Sequence, residues 1–137
     1  MAVLIDTSIL VAVGSQREVN HARARKALRE ISEVRIVPAP MLPEMFYMLA
    51  TRANYATALK MFHTLRTGAF RIEPLTDDDM TRMRAIMTDY EDSEFDFVDA
   101  AIMALAERLN IATVYTFDRR DFRLFRPAHR PYLRLLP

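Results

Sequence analysis

Apolar and polar positions fall in blocks along this chain, and the spacing inside each block predicts an element. "AVLI" (2–5) is an unbroken apolar run ended by Asp6, the pattern of a short strand buried on both faces. Residues 7–13 then begin a helix, with Thr7 or Ser8 as its cap. From Val19 to Ile31 the chain is rich in Ala, Arg, Leu and Glu, which reads as an exposed amphipathic helix. "RIVPAP" (35–40) predicts a short strand closed by prolines. "PEMFYMLATR" (43–52) predicts a helix, with Pro43 where a first turn accepts it. A further helical run over 55–67 ends at Gly68. "FRIEPL" (70–75) alternates as a strand does, and Thr76 caps an acidic helix running through about Tyr90.

A helix from Phe97 to about Leu109 follows, then the strand "ATVYT" (112–116). Next come an Asp- and Arg-rich segment, 117–126, and a last strand, "YLRLL" (132–136). Strands alternating with helices argue an α/β fold around a mostly parallel sheet. At 137 residues, with no repeat or linker, residues 1–137 are expected to form one domain.

Composition narrows the chemistry. There is no cysteine, so thiolate nucleophiles, disulfides and cysteine-bound zinc are excluded, which fits a cytoplasmic protein. Two glycines cannot build a phosphate-cradling loop, which removes the Walker and dinucleotide-binding classes. "MAVLIDTSIL" has no basic region and does not resemble a signal peptide, and no apolar run is long enough for a membrane span. No G-x-S-x-G elbow is present. The three histidines (His21, His63, His129) show no metal-site spacing. "EMFYMLA" (44–50) is more apolar than an exposed helix needs, which hints at an oligomer or partner surface.

Net charge is only +1, but the charges are segregated. Residues 77–99 hold nine acids against Arg82 and Arg84, whereas from residue 119 onward six arginines face one acid, Asp121. Of the 19 basic residues, 17 are arginine. Guanidinium forks suit phosphate or an acidic partner.

Functional groups of open parallel sheets gather beyond the carboxyl ends of the strands. Asp6 ends the first strand, and Asp118 follows "ATVYT". Glu44 lies in the first turn of the helix after "RIV", and Asp99 in the first turn of the helix before "ATVYT". Each has an ordinary explanation: a cap for Asp6, the helix dipole for Glu44, a solvated loop for Asp118. Those explanations do not predict that all of them fall at strand exits. Converging acids need a hard cation to stay ionised, which points to Mg²⁺ or Mn²⁺ and metal-assisted phosphodiester hydrolysis.

Within "FDFVDAAIMALAE" (95–107) helix geometry separates two acids. Val98, Ile102, Leu105 and Leu109 fall within roughly 60° of arc and mark the buried stripe. Asp99 lies on its shoulder, facing the sheet's edge. Asp96 points nearly opposite and suits an N-cap bonding the amide three residues on.

"VLIDTSIL", Glu44 and above all "FVDAAIMALAERLNIATVYTFDRRDF" resemble PIN-domain ribonucleases of the VapC toxin type, over essentially the whole chain. The resemblance implies a Rossmann-like α/β sandwich of about five strands with an acidic Mg²⁺ or Mn²⁺ pocket. It assigns Asp6, Glu44, Asp99 and Asp118 to the family's metal-binding and catalytic carboxylates. Thr7, Ser8 and Thr116 match its hydroxyl positions, and Asp96 keeps a capping or supporting role. Asp92 matches a recurrent acid without a derived role, and Asp121 ranks below Asp118. Arg119, Arg120 and Arg123 are the candidate RNA contacts. The implied reaction is attack of a metal-bound, carboxylate-deprotonated water on an RNA phosphodiester, leaving a 3′-hydroxyl and a 5′-phosphate. Implied partners are RNA, a VapB-like antitoxin and a second copy in a homodimer. A housekeeping PIN nuclease in RNA maturation and an acidic-pocket regulatory α/β domain remain the alternatives. A phosphoacceptor receiver would want paired acids after the first strand and a late lysine, and here the only lysines are Lys26 and Lys60.

Overall fold

In the computed structural model, which describes residues 1–137, the strands are β1 (Ala2–Ile5), β2 (Val34–Pro38), β3 (Arg71–Glu73), β4 (Thr113–Tyr115) and β5 (Arg134–Leu136). They form one sheet in the order β3-β2-β1-β4-β5, and every pairing is parallel. The expected α/β class with a central parallel sheet is therefore found, without any antiparallel strand. Because β1 is central, Val3, Leu4 and Ile5 are almost wholly buried, which explains their continuous apolar run.

The helices are α1 (Thr7–Gly14), α2 (His21–Glu30), α3 (Leu42–Arg52), α4 (Tyr55–Leu65), α5 (Asp77–Asp89), α6 (Phe97–Arg108) and α7 (Arg120–Leu124). None is long and apolar enough to cross a membrane. Several sequence expectations change here. The first helix is capped by Asp6, not by Thr7 or Ser8, since the Asp6 carboxylate accepts the Thr7 amide proton at 2.8 Å. α2 starts two residues later than Val19, because Val19 is fully exposed and Asn20 takes the cap position. Short 3-10 turns cover Ala39–Met41 and Glu91–Ser93.

α6 is the larger correction. The expected buried stripe is real, but Val98 to Ala106 are all buried. Val98, Ile102 and Leu105 join the main core, whereas Ala100, Ala101 and Ala104 pack with Met83 of α5. The alanines let α5 lie close on the outer side, so α6 is sandwiched. Ion pairs lock this layer. Arg108 Nε contacts Asp79 Oδ1 at 2.8 Å, and Arg82 Nε meets Glu107 Oε1 at 2.6 Å. Asp79 also closes a reciprocal capping box with Thr76.

α7 escaped the apolar pattern because arginines surround it. It forms because Phe122 and Phe125 are buried in the core, each burial stabilising the fold by about 2–3 kcal/mol.

Candidate active site

In a sheet ordered 3-2-1-4-5 the chain leaves β1 toward one side and β4 toward the other, which opens a crevice at their carboxyl ends. Asp6 leaves β1 there, and Thr116, Phe117 and Asp118 leave β4. The Asp6 amide bonds the Tyr115 carbonyl at 3.0 Å, so the strands stay in register up to the crevice. A cavity of about 610 Å³ lies at this point, and its wall carries seven carboxylates: Asp6, Glu18, Glu44, Asp96, Asp99, Asp118 and Asp121.

Asp6 is the most tightly held. One carboxylate oxygen accepts the Thr7 amide. The other accepts the Thr116 hydroxyl at 2.7 Å and the Ser8 hydroxyl at 3.2 Å. Those hydroxyls in turn take backbone donors from the opposite strand exit: Asp118 N to Thr116 Oγ1 at 2.9 Å, and Phe117 N to Ser8 Oγ at 3.0 Å. Thr116 is completely buried. A small hydroxyl lattice thus joins both strand ends around one carboxylate.

Asp99 projects from the first turn of α6 and is buried. Asp96 caps the same helix, as the sequence predicts, but through the Val98 amide at 3.1 Å, two residues on and not three. Glu44 enters from the first turn of α3 and is exposed at the rim, as is Asp118. Asp121 is buried in the first turn of α7. Its carboxylate accepts the Asp96 amide at 3.2 Å and Arg120 Nη1 at 2.8 Å. It also lies within hydrogen-bonding reach of Asp99. Asp121, ranked below Asp118 on the sequence alone, is the more buried of the two and lines the same cavity. The signal was available: Asp121 immediately precedes Phe122 and Phe125, an apolar pair at helical spacing. Asp92 sits on the exposed Glu91–Ser93 turn and does not line the cavity.

Crowding shows in the acidities. Burial pushes Asp6 up to about 6, against the Thr116 and Thr7 hydrogen bonds, and the Asp118 charge adds to the rise. Asp99 is raised further by burial, then by the Asp6 charge and the Asp121 hydrogen bond. Glu44 is raised by partial burial, then by the charges of Asp96 and Asp118. Acids held this way favour a divalent cation over one another. The donors are all hard oxygens, as Mg²⁺ or Mn²⁺ requires. The Thr7 hydroxyl is buried on the cavity wall, close enough to Glu44 to offset part of the rise in its pKa yet without a well-aligned hydrogen bond, so it can also meet a bound water or ligand oxygen. As the side chains stand, no three carboxylates close on one point as a bound ion demands. The donor set fits a cation by its chemistry, with the side chains still to close around it.

The arginines of the last segment divide. Arg119 and Arg120 line the cavity, while Arg123 is exposed on α7 and does not line it. Arg119 donates to the Pro137 carbonyl, and Arg120 is shared between Asp121 and the Ser93 carbonyl at 2.8 Å.

A parallel α/β sheet with a carboxylate-lined crevice at the switch point beside its central strand is the architecture of a Rossmann-like domain with an acidic pocket. Residues 3–126 match the PIN domain model, and the chain belongs to the PIN-domain family. It is 30% identical over 124 residues to Ribonuclease VapC26 of Mycobacterium tuberculosis, covering 90% of this chain and 92% of that one. The crystal structure of Mycobacterium tuberculosis VapC20, described as a Sarcin-Ricin loop cleaving toxin, is 22% identical. It superposes with a TM-score of 0.80 over 85% of this chain and 90% of that one. VapBC2 from Rickettsia felis, bound to a promoter DNA fragment, gives a TM-score of 0.71 at 16% identity, over 98% and 97% of the two chains.

Proposed function

We propose that this protein is a Mg²⁺- or Mn²⁺-dependent endoribonuclease and the toxin of a VapBC-type toxin–antitoxin pair. Its whole chain acts as one cytoplasmic nuclease domain, paired with a second copy and held in check by a VapB-like antitoxin. The observation that carries this reading is the arrival of Asp6, Glu44, Asp99 and Asp118, from separate elements, at one cavity beside the switch point of the sheet. The near-full-length similarity to a named ribonuclease supports the reaction class. The likeness to a VapBC assembly supports the antitoxin. Tyr47 and Tyr55, at 70% and 64% exposure on α3 and α4, supply apolar surface for protein contacts.

Asp6, Glu44, Asp99 and Asp118 would hold the cation. When bound, it supplies Lewis-acid polarisation of a phosphoryl oxygen and a lowered pKa for water. The chain does the rest. Thr116 and Ser8 fix the Asp6 carboxylate from behind, leaving its open side to the cavity. Asp96, tied to Asp121, sets where α6 begins and hence where Asp99 points. A carboxylate of the set takes the proton of the attacking water. Arg119, Arg120 and Arg123 place positive charge on the α7 side, where RNA phosphates approach.

Incubating RNA with the purified protein and Mg²⁺ or Mn²⁺ should yield fragments carrying 5′-phosphates, readable by ligation without prior phosphorylation. Equal cleavage in excess EDTA would contradict the proposal.

A further inference from the structure

The cavity is larger than its carboxylate chemistry requires. A liquid water occupies about 30 Å³, so an ion with its water shell fills only part of the 610 Å³. The acids and α7 make one flank. The other is built from Val11 on α1, the following loop with Glu18 and Asn20, and Met48 and Arg52 on α3. No step of the proposed hydrolysis uses these residues.

We infer that this second flank is a nucleotide subsite. Arg52 takes the phosphate next to the scissile one, and Asn20 and Glu18 face the edge of a base resting on Met48 and Phe117. The inference rests on the nuclease reading above and adds to it where the neighbouring nucleotide lies.

The state of Arg52 is the first argument. Arg119, which donates to the Pro137 carbonyl, and Arg120, which donates to Asp121 and the Ser93 carbonyl, stand on the acid flank, and Arg52 is the arginine of the other. Arg52 has one protein partner, Glu18, with Nη1 to Oε1 at 3.1 Å, and its side chain is 53% exposed. The other guanidinium donors have no protein partner, and the planar fork they form matches phosphate geometry. Glu18, itself less exposed at 28%, anchors that fork at the cavity wall.

Asn20 supplies the second argument. It occupies the cap position of α2 yet caps no amide. Its carboxamide oxygen touches only Arg23, at 3.5 Å. A half-buried amide that caps nothing, beside a carboxylate, offers the donor and acceptor pair that reads a base edge. The uncapped start of α2 adds its positive dipole end to the same wall.

The third is the floor. Met48 and Phe117 are half-buried in the cavity lining above the buried Val11, and the Arg23 guanidinium lies 5.4 Å from the Phe117 ring centroid. Bases of single-stranded RNA bind by laying their faces on such surfaces. Cation, edge-reading amide and apolar floor together match a nucleotide. A bare metal-water site needs none of them.

The test measures steady-state cleavage of short labelled single-stranded oligoribonucleotides, with Mn²⁺, by wild type, Arg52→Ala, Arg52→Lys, Asn20→Ala, Glu18→Ala and Asp99→Asn. Arg52→Ala should raise KM about tenfold, the scale of one charge-assisted hydrogen bond, with kcat little changed. Its salt dependence should flatten by about 0.7 in log–log slope, the loss of one single-strand phosphate contact. Arg52→Lys should restore the slope and part of the KM, since it keeps the charge without the fork. Asn20→Ala should broaden the preference among oligonucleotides varied at one base. An Arg52→Ala protein with wild-type KM and slope overturns the subsite and leaves Arg52 to a protein contact. So does a result in which Glu18→Ala and Arg52→Ala merely lower Tm together. Cleavage undiminished in Asp99→Asn overturns the nuclease reading itself. Loss of cleavage in Asp99→Asn with unaltered Arg52→Ala overturns the subsite alone.

Discussion

Thr116 donates a 2.7 Å hydrogen bond to Asp6 across 110 positions of sequence, from a site with no solvent exposure. The bond joins the exits of β1 and β4 and points the carboxylate into the crevice between them. A carboxylate that also accepts the Thr7 amide and the Ser8 hydroxyl has little rotational freedom left. Asp6 is thereby pre-aimed before any ligand arrives.

Thr116→Val keeps the shape of the side chain and removes this donor. Divalent affinity, read by Mn²⁺ titration calorimetry, should fall about 10- to 100-fold, the usual cost of losing a group that orients a metal ligand. Cleavage at subsaturating metal should fall with it. Thr116→Ser retains the hydroxyl and should recover most of the loss. Equal metal affinity in wild type and Thr116→Val would mean that the bond serves the strands alone.

Asp99 is raised by burial and by its acidic neighbours. A folded-state pKa above the unfolded value means the native protein holds that proton more tightly. Its destabilising charge therefore develops as pH rises from the unfolded value near 3.8 through the raised one. In EDTA at neutral pH, Asp99→Asn should raise Tm by about 3 °C or more, roughly 1 kcal/mol at this chain length. The gain should shrink toward pH 4. Added Mn²⁺ should raise the Tm of wild type and leave Asp99→Asn nearly unmoved.

Asp79 has the opposite sign. The Arg108 and Thr76 hydrogen bonds outweigh its burial and hold its pKa below the usual carboxylate range. That stabilisation is present above the unfolded pKa and is lost as pH falls through the folded one. Arg108→Gln leaves a buried carboxylate short of its partner and should cost about 1–3 kcal/mol at pH 7. In urea melts the difference from wild type should fade as pH falls from the unfolded value of 3.8 through the lowered folded one. A deficit independent of pH would assign the loss to packing of the arginine stem.

Much of this was legible in the sequence, for a specific reason. A strand buried on both faces is a continuous apolar run, so its end is sharp, and an acid immediately beyond it is placed by topology as well as by composition. Asp6 is the clearest case, and it is also the helix cap that the bland explanation required: one carboxylate serves both ends. Asp99 was separable from Asp96 because three residues on a helix span most of a turn. What stayed hidden depended on neighbours distant in sequence. Asp121 lies among arginines that masked the short helix around it, and its burial comes from Phe122 and Phe125. The all-round burial of α6 needed α5 laid against its alanines. The pairing of Glu18 with Arg52 joins a loop to a helix end with no local pattern at either. Arg119 and Arg120, read as free phosphate contacts, turn out to be engaged by the Pro137 carbonyl, Asp121 and the Ser93 carbonyl. Each guanidinium has five donors, so RNA phosphates meet the donors that these contacts leave over.

The most direct test of the central claim is divalent-dependent cleavage of RNA by purified Asp99→Asn beside wild type, with near-identical circular dichroism showing that both are folded. Wild type should cleave with Mg²⁺ or Mn²⁺ and stop in EDTA, and Asp99→Asn should lose at least about 100-fold in rate. Undiminished, metal-dependent cleavage by Asp99→Asn would contradict the account.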